Sequence, residues 1–323
     1  MAIVNLMDLQ PTVISRDLKD KYLLLYSRPK IGKTEFAAQC PGNLIFCFEK
    51  GVNFRPGIFA LNVPTWTDFK VAAKQLRKSE VQKKFNTITM DTVTIAWELC
   101  KQHICSVNGV SAIGDIPYGK GYALLSEEFS STLREISMLG YGVILIAHAK
   151  ITTIKLDDDK VVEKVAPDIP DRAQSFINAF VDIIGYIDRT FDENEKAVRT
   201  LVTKETPYIV AGSRSKYLPE RIPFGYNELV DAIYGAIEKE ALAGATVVDK
   251  QELQGISSRS FDEAMAEARE LWGKLVGDTD ENNCSIKILN AAEAIFGRPI
   301  RLSEIQPAEQ ALFEELIEEM KKM

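Results

Sequence analysis

The sequence predicts an α/β protein: a doubly wound, mostly parallel sheet with antiparallel edge hairpins, followed by a small C-terminal helical domain. Three observations carry this expectation. Short apolar runs alternate with helix-length amphipathic stretches through the first half of the chain. Two consecutive strand pairs with polar tips follow. Beyond Ala241 the strand patterns stop, and apolar residues recur at helical spacing with acids between them.

Tyr22–Tyr26 (YLLLY) is apolar throughout and bounded by charge, as a strand buried on both faces requires. A short helical stretch from Lys33 and a Pro41-Gly42 turn lead to Leu44–Phe48 (LIFCF). Asn86–Met90 (NTITM) is a weaker strand rich in β-branched residues, and Gly142–Ala147 (GVILIA) is the strongest strand pattern. Thr67–Leu76, Thr92–Cys105 and Ala123–Met138 read as the intervening helices. Ile151–Val165 reads as a hairpin with Asp157-Asp158-Asp159 at its tip. Ile183–Arg189 and Val198–Thr203 form a second one around Asp192-Glu193-Asn194-Glu195. Phe261–Leu275, Ser285–Phe296 and Pro307–Met320 are the C-terminal helices, with Pro307 in an early-turn position. This organisation gives an N-terminal arm at 1–20, a core at 21–240 and an acidic helical domain at 241–323, joined at Ala241–Ala245.

With 46% hydrophobic and 26% charged residues, the 323-residue chain has the composition of a soluble globular protein. No apolar run approaches the ~18 residues of a membrane span. The N-terminus lacks a basic start followed by a long apolar stretch, so a cytoplasmic protein without membrane attachment is expected. The five cysteines are odd in number and unpaired by any CxxC, and His103 and His148 are the only imidazoles. Buried free thiols are expected rather than a zinc site or a disulfide framework. The net charge of −7 resides wholly in Ala241–Met323, with 16 acids and 9 bases; the first 240 residues hold 30 of each. A polyanion-binding surface must therefore be a local patch on the core.

Ser27-Arg28-Pro29-Lys30-Ile31-Gly32-Lys33-Thr34 fits GxxxxGK[ST], with Ser27 where the first glycine belongs. Such a loop turns its backbone N–H groups toward a β-phosphate, and the helix that starts with Lys33-Thr34-Glu35 adds its positive end. Lys33 would bridge β- and γ-phosphate oxygens, and the Thr34 hydroxyl would ligate Mg²⁺. Gly32 permits close backbone approach, whereas Ser27 gives up the freest φ. Three strand ends supply further polar groups. Glu49 could orient and deprotonate an attacking water, or open a loop as a solvated acid. Asp91 could hold Mg²⁺ through its water shell or cap the helix after Thr92, two compatible roles. His148 could sense the γ-phosphate or sit as a satisfied buried histidine. No Asn-Lys-x-Asp guanine-reading element occurs, the nearest string being Thr203-Lys204-Glu205-Thr206. Adenine, and hence ATP with Mg²⁺, is the expected cofactor.

In this order of elements the core resembles RecA-type ATPases, most of all the phage branch of nucleotide-binding and single-strand-annealing recombinases. The resemblance covers roughly Lys21 to Glu240. It implies a RecA-like sheet, Glu49 as general base, Asp91 as the Mg²⁺ acid and His148 as sensor. Arg214-Ser215-Lys216 resembles the basic pair that such subunits insert into a neighbour's active site, which implies a homo-oligomeric ring or filament. Gly114–Tyr122 (GDIPYGKGY) and Pro167–Pro170 (PDIP) also resemble the phage branch. By the same resemblance, about Ser106–Tyr122 and Lys150–Arg172 would contact single-stranded DNA. Tyr118, Lys120 and Tyr122 offer stacking and charge in the first segment. Lys150, Lys155, Lys160, Lys164 and Arg172 offer charge in the second, if folding aligns the lysines on one face away from six acids. The reading is an ATP-hydrolysing, single-stranded-DNA-binding protein of the bacterial host cytoplasm, with a possible protein partner for the acidic C-terminal domain. A helicase-like DNA motor and a nucleotide-dependent switch without DNA are the alternatives.

Overall fold

The computed structural model describes residues 13–15, 21–49, 57–155, 161–191, 193–248, 261–277, 283–306 and 309–323, apart from the side chains of Ile154, Lys155, Gln310 and Ala311. The described chain divides into two compact units, one spanning residues 13–251 and one containing residues 252–323.

The first unit opens with β1 (Ile14–Ser15), β2 (Tyr22–Ser27), α1 (Lys33–Gln39), β3 (Asn43–Cys47) and β4 (Phe59–Asn62). Next come α2 (Trp66–Gln75), α3 (Ser79–Lys84), β5 (Thr87–Asp91), α4 (Val93–Val107) and α5 (Lys120–Met138). Then follow β6 (Gly142–Lys155), β7 (Val161–Pro167), α6 (Asp171–Phe180), β8 (Ile183–Phe191) and β9 (Ala197–Val202). The unit closes with β10 (Gly212–Ser213), β11 (Arg221–Pro223), α7 (Tyr226–Leu242) and β12 (Val247–Val248).

The main sheet runs β11-β9-β8-β2-β6-β5-β3-β4, with β10 added to β8 and β7 to β6. The segment from β8 through β4 is parallel throughout. The pairs β8–β9, β9–β11 and β6–β7 are antiparallel. Both predicted hairpins form, but β8 lies inside the sheet beside β2, and β9 and β11 supply the edge. The hairpin-tip residues Asp157, Asp158, Asp159 and Asp192 lie outside the described residues, as do Lys160 and Pro307.

Strand β2 shows why its sequence is apolar without alternation. Leu24 and Tyr26 enter a core with Phe46, Trp66, Phe69, Trp97 and Phe129, whereas Leu23 and Leu25 enter another with Phe36, Ile45, Ile144 and Ile233. Side chains alternate across a strand, so a sheet covered on both faces needs apolar residues at every position. The polar β5 is tolerated because Thr89 is fully buried but exchanges hydrogen bonds with Asn43 on β3, whose amide also donates to the Ala37 carbonyl at 2.7 Å.

Three differences from the sequence expectation matter. Strand β6 does not stop at Ala147; it runs on to Lys155, changing partner from β2 to β7 just past His148. The edge strand β4 was not among the expected strands; its apolar residues Phe59 and Leu61 are exposed rather than buried. Strand pairing also continues beyond residue 241, because β12 pairs in parallel with β1. In the second unit α8 (Phe261–Val276), α9 (Cys284–Phe296) and α10 (Gln310–Lys321) enclose a core that includes Ala264, Ala268, Ile288, Phe313 and Leu316. All five cysteines are free and buried. Among the described residues, no helix is long and apolar enough to cross a membrane.

Candidate functional site

The loop from Ser27 to Thr34 joins the carboxyl end of β2 to α1. Its backbone reverses at two residues with positive φ, Lys30 at 64° and Gly32 at 113°. A side chain at Gly32 would be strained by that φ, and its Cβ would lie 2.6 Å from an Arg199 nitrogen. The Lys33 ammonium curls back into the loop, donating to the Ser27 hydroxyl at 3.0 Å, the Arg28 carbonyl at 3.2 Å and the Ser27 carbonyl at 3.3 Å. Ser27 is thus a lysine acceptor as well as the loop's first residue. Arg28, Pro29 and Lys30 form the exposed crest, and Ile31 is buried beneath it.

Parallel register brings the other polar groups to the same edge. Asp91 ends β5, one strand beyond β6, and its carboxylate accepts from the Thr34 hydroxyl at 2.6 Å. His148 is in register with Ser27 across β2 and β6. Glu49 lies two residues past β3, and its carboxylate is 3.3 Å from His148 Nε2. Asp91 does not cap α4; Thr92 occupies that position, with a buried hydroxyl that finds no partner among the described residues. His148 is not the satisfied buried histidine either, since its buried Nδ1 has no hydrogen-bond partner among the described residues.

Burial dominates the electrostatics. It lowers the pKa of the Lys33 ammonium, while the Asp91 and Glu49 carboxylates pull the other way. Burial also pushes the Asp91 carboxyl up; the Thr34 hydrogen bond and the positive charge of Lys33 oppose this, and the Glu49 carboxylate reinforces it. A buried ammonium held by loop oxygens, beside a hydroxyl–carboxylate pair, suits one kind of ligand. The ammonium can exchange its loop acceptors for phosphate oxygens, and the Thr34–Asp91 oxygens match the hard-donor preference of Mg²⁺. The residues present therefore fit a magnesium nucleotide.

The remaining predicted residues separate. Arg214 lies at the opposite end of the sheet, where it pairs with Asp182 at 3.2 Å and donates to the Ala179 carbonyl. Asp182 in turn accepts from the Tyr22 N–H at the start of β2, roughly 16 Å along that strand from the loop. Lys216 stands 5.3 Å above the Tyr217 ring. Neither cation serves the loop of its own chain. Tyr118 is 95% exposed and Lys120 and Tyr122 are exposed beside it. The Arg172 guanidinium sits 4.8 Å from the Tyr122 ring, so the two expected DNA segments meet at a cavity of about 740 Å³ that they share with α4. Of the lysines expected along one face, those whose side chains are described are engaged within the protein. Lys150 donates to the Ile169 carbonyl, Lys164 is buried against Glu205, and the Lys155 side chain lies outside the described residues.

Arg199 on β9 escaped the sequence reading. It donates to the Ile31 carbonyl at 2.9 Å and lies 3.9 Å from Glu35. Its position in a hairpin more than 160 residues downstream gave no local signal.

A glycine-capped loop with a buried lysine, facing an acid at the end of a nearby parallel strand, defines a P-loop nucleoside triphosphatase. The chain belongs to the AAA_24 family, described as an AAA domain, which it matches over residues 19–215. It is an AAA-type P-loop ATPase domain. It is also 25% identical to the SPbeta prophage-derived uncharacterized protein YorG of Bacillus subtilis (strain 168), over 99% of this chain and 98% of that protein.

Proposed function

We propose that the protein binds and hydrolyses ATP as a RecA-like protein and assembles on single-stranded DNA for phage-type recombination or annealing. One observation carries the enzymatic part: Lys33, the Thr34–Asp91 pair and the Glu49–His148 pair converge on a single loop from the ends of adjacent parallel strands. When bound, Mg²⁺ supplies positive charge to the phosphoryl oxygens. Lys33 donates hydrogen bonds to phosphate oxygens in place of Ser27 and Arg28. Glu49 orients and deprotonates water, and His148, through Nε2, holds the Glu49 carboxylate and links its state to the β6–β7 hairpin.

The DNA part is supported by the solvent-facing Tyr118, by the Tyr122–Arg172 pair and by the exposed Lys120, a mixture suited to bases and phosphates. Similarity to a prophage-derived relative favours a phage setting. Arg214 and Lys216, remote from their own loop, serve a neighbouring subunit's nucleotide in this reading.

The test is ATP hydrolysis measured with and without single-stranded DNA across a salt titration. DNA-stimulated turnover together with salt-dependent binding is the expected result. Turnover indifferent to DNA, with no binding at low salt, would leave a nucleotide-dependent switch. Shared sites add a second expectation. Arg214→Ala and Glu49→Gln proteins, each inactive alone, should recover activity when mixed, because some interfaces then contain neither substitution.

A further inference from the structure

We infer that Arg199, backed by Phe224, is the contact for the nucleoside end of the bound nucleotide. This rests on the ATP-binding reading above and assigns to that site a wall supplied by the antiparallel part of the sheet. Strand order gives the loop two flanks. Asp91, Glu49 and His148 all approach the loop from the β6–β5–β3 side of β2. Arg199 approaches from the β8–β9 side. The hydroxyl and acid that suit Mg²⁺ mark the terminal-phosphate end of a P-loop, so the opposite flank is where the nucleoside leaves it.

The chemistry on that flank suits such a ligand. Arg199 is anchored by one hydrogen bond, NH1 to the Ile31 carbonyl, and its guanidinium carbon lies 5.5 Å from the Phe224 ring centroid. A guanidinium carries five N–H donors; the Glu35 carboxylate stands 3.9 Å from NH1, beyond hydrogen-bond distance, and the Ile31 carbonyl is the one acceptor that the group reaches among the described residues. The side chain is 42% exposed. Phe224 is itself fixed from two directions: its N–H donates to the Arg199 carbonyl at 3.0 Å, and its ring stacks on Phe36 of α1 at 5.5 Å. The result is a rigid aromatic surface bearing a planar cation with spare donors, beside a phosphate loop. Planar cations and aromatic rings stack on heterocyclic bases and donate to sugar and phosphate oxygens.

The experiment compares binding of MgATP with binding of magnesium inorganic triphosphate, by calorimetry, to the full chain and to Arg199→Ala, Arg199→Lys and Lys33→Ala. Inorganic triphosphate has the charges of ATP without the nucleoside, so any change in loop shape from losing the Ile31 hydrogen bond cancels in the ratio. Arg199→Ala should weaken ATP binding about tenfold or more while triphosphate affinity changes much less. Arg199→Lys should recover only part of that loss, because a point charge replaces the planar fork. Equal losses for both ligands, or no loss for ATP, would overturn the assignment. If the unsubstituted chain binds neither ligand, the ATP reading falls; if it binds both and Lys33→Ala alone fails, only Arg199 is wrongly placed.

Discussion

The two flanks of the phosphate loop are built on different principles. On the β6–β5–β3 flank, polar residues stand at or just past the ends of parallel strands, and register alone delivers them to one edge. On the β8–β9 flank, a long antiparallel hairpin overshoots the sheet, and Arg199 leans back onto Ile31. The first flank sets a buried carboxylate, Asp91, beside the half-exposed Glu49–His148 pair; the second presents Arg199, about equally exposed, with the Glu35 carboxylate 3.9 Å away. The difference teaches how one loop can divide its labour. A buried carboxylate beside an acid–histidine pair suits bond cleavage, whereas a cation over an aromatic ring suits recognition.

Substitutions should separate the flanks. Lys33→Ala strikes the loop common to both and should abolish nucleotide binding, weakening it by about 100-fold or more in calorimetry. Glu49→Gln acts on the cleavage flank alone. Its hydrolysis should fall about 100-fold or more with ATP affinity retained, leaving an ATP-bound state that persists on single-stranded DNA. Hydrolysis at the unsubstituted rate would remove Glu49 from the base role. Arg199→Ala should do the reverse, with a smaller effect near tenfold on binding and turnover preserved at saturating ATP.

The smallest expected effect concerns stability. Burial raises the folded-state pKa of Asp91 above its ordinary value of 3.8, so ionising it in the folded protein costs free energy once the pH exceeds that value. Asp91→Asn removes the charge and keeps an acceptor for Thr34. Without Mg²⁺ at pH 7 it should melt a few degrees higher than the unsubstituted protein, and the gap should close as pH falls toward 3.8. A lower melting temperature at pH 7 would mean that the Thr34 and Lys33 interactions outweigh the burial cost.

What the sequence determined by itself was local. A continuous apolar run implies a strand covered on both faces, GKT after such a run implies a phosphate loop, and an acid at a strand end implies a place at the sheet's carboxyl edge. Each inference needs only short-range pattern plus the rule that parallel strands start and stop together, and Lys33, Thr34, Glu49, Asp91 and His148 all followed from it. Tertiary structure alone decided the rest. The 148–155 continuation, which turns His148 from a strand end into a point of partner exchange, depends on pairing with β7. Arg214 reaches Asp182 because β10 adds to the far end of β8, and Arg199 reaches Ile31 because the β8–β9 hairpin spans the loop. Long-range pairing register carries no short-range signature, since the same alternation of residues fits several partners until the whole sheet closes.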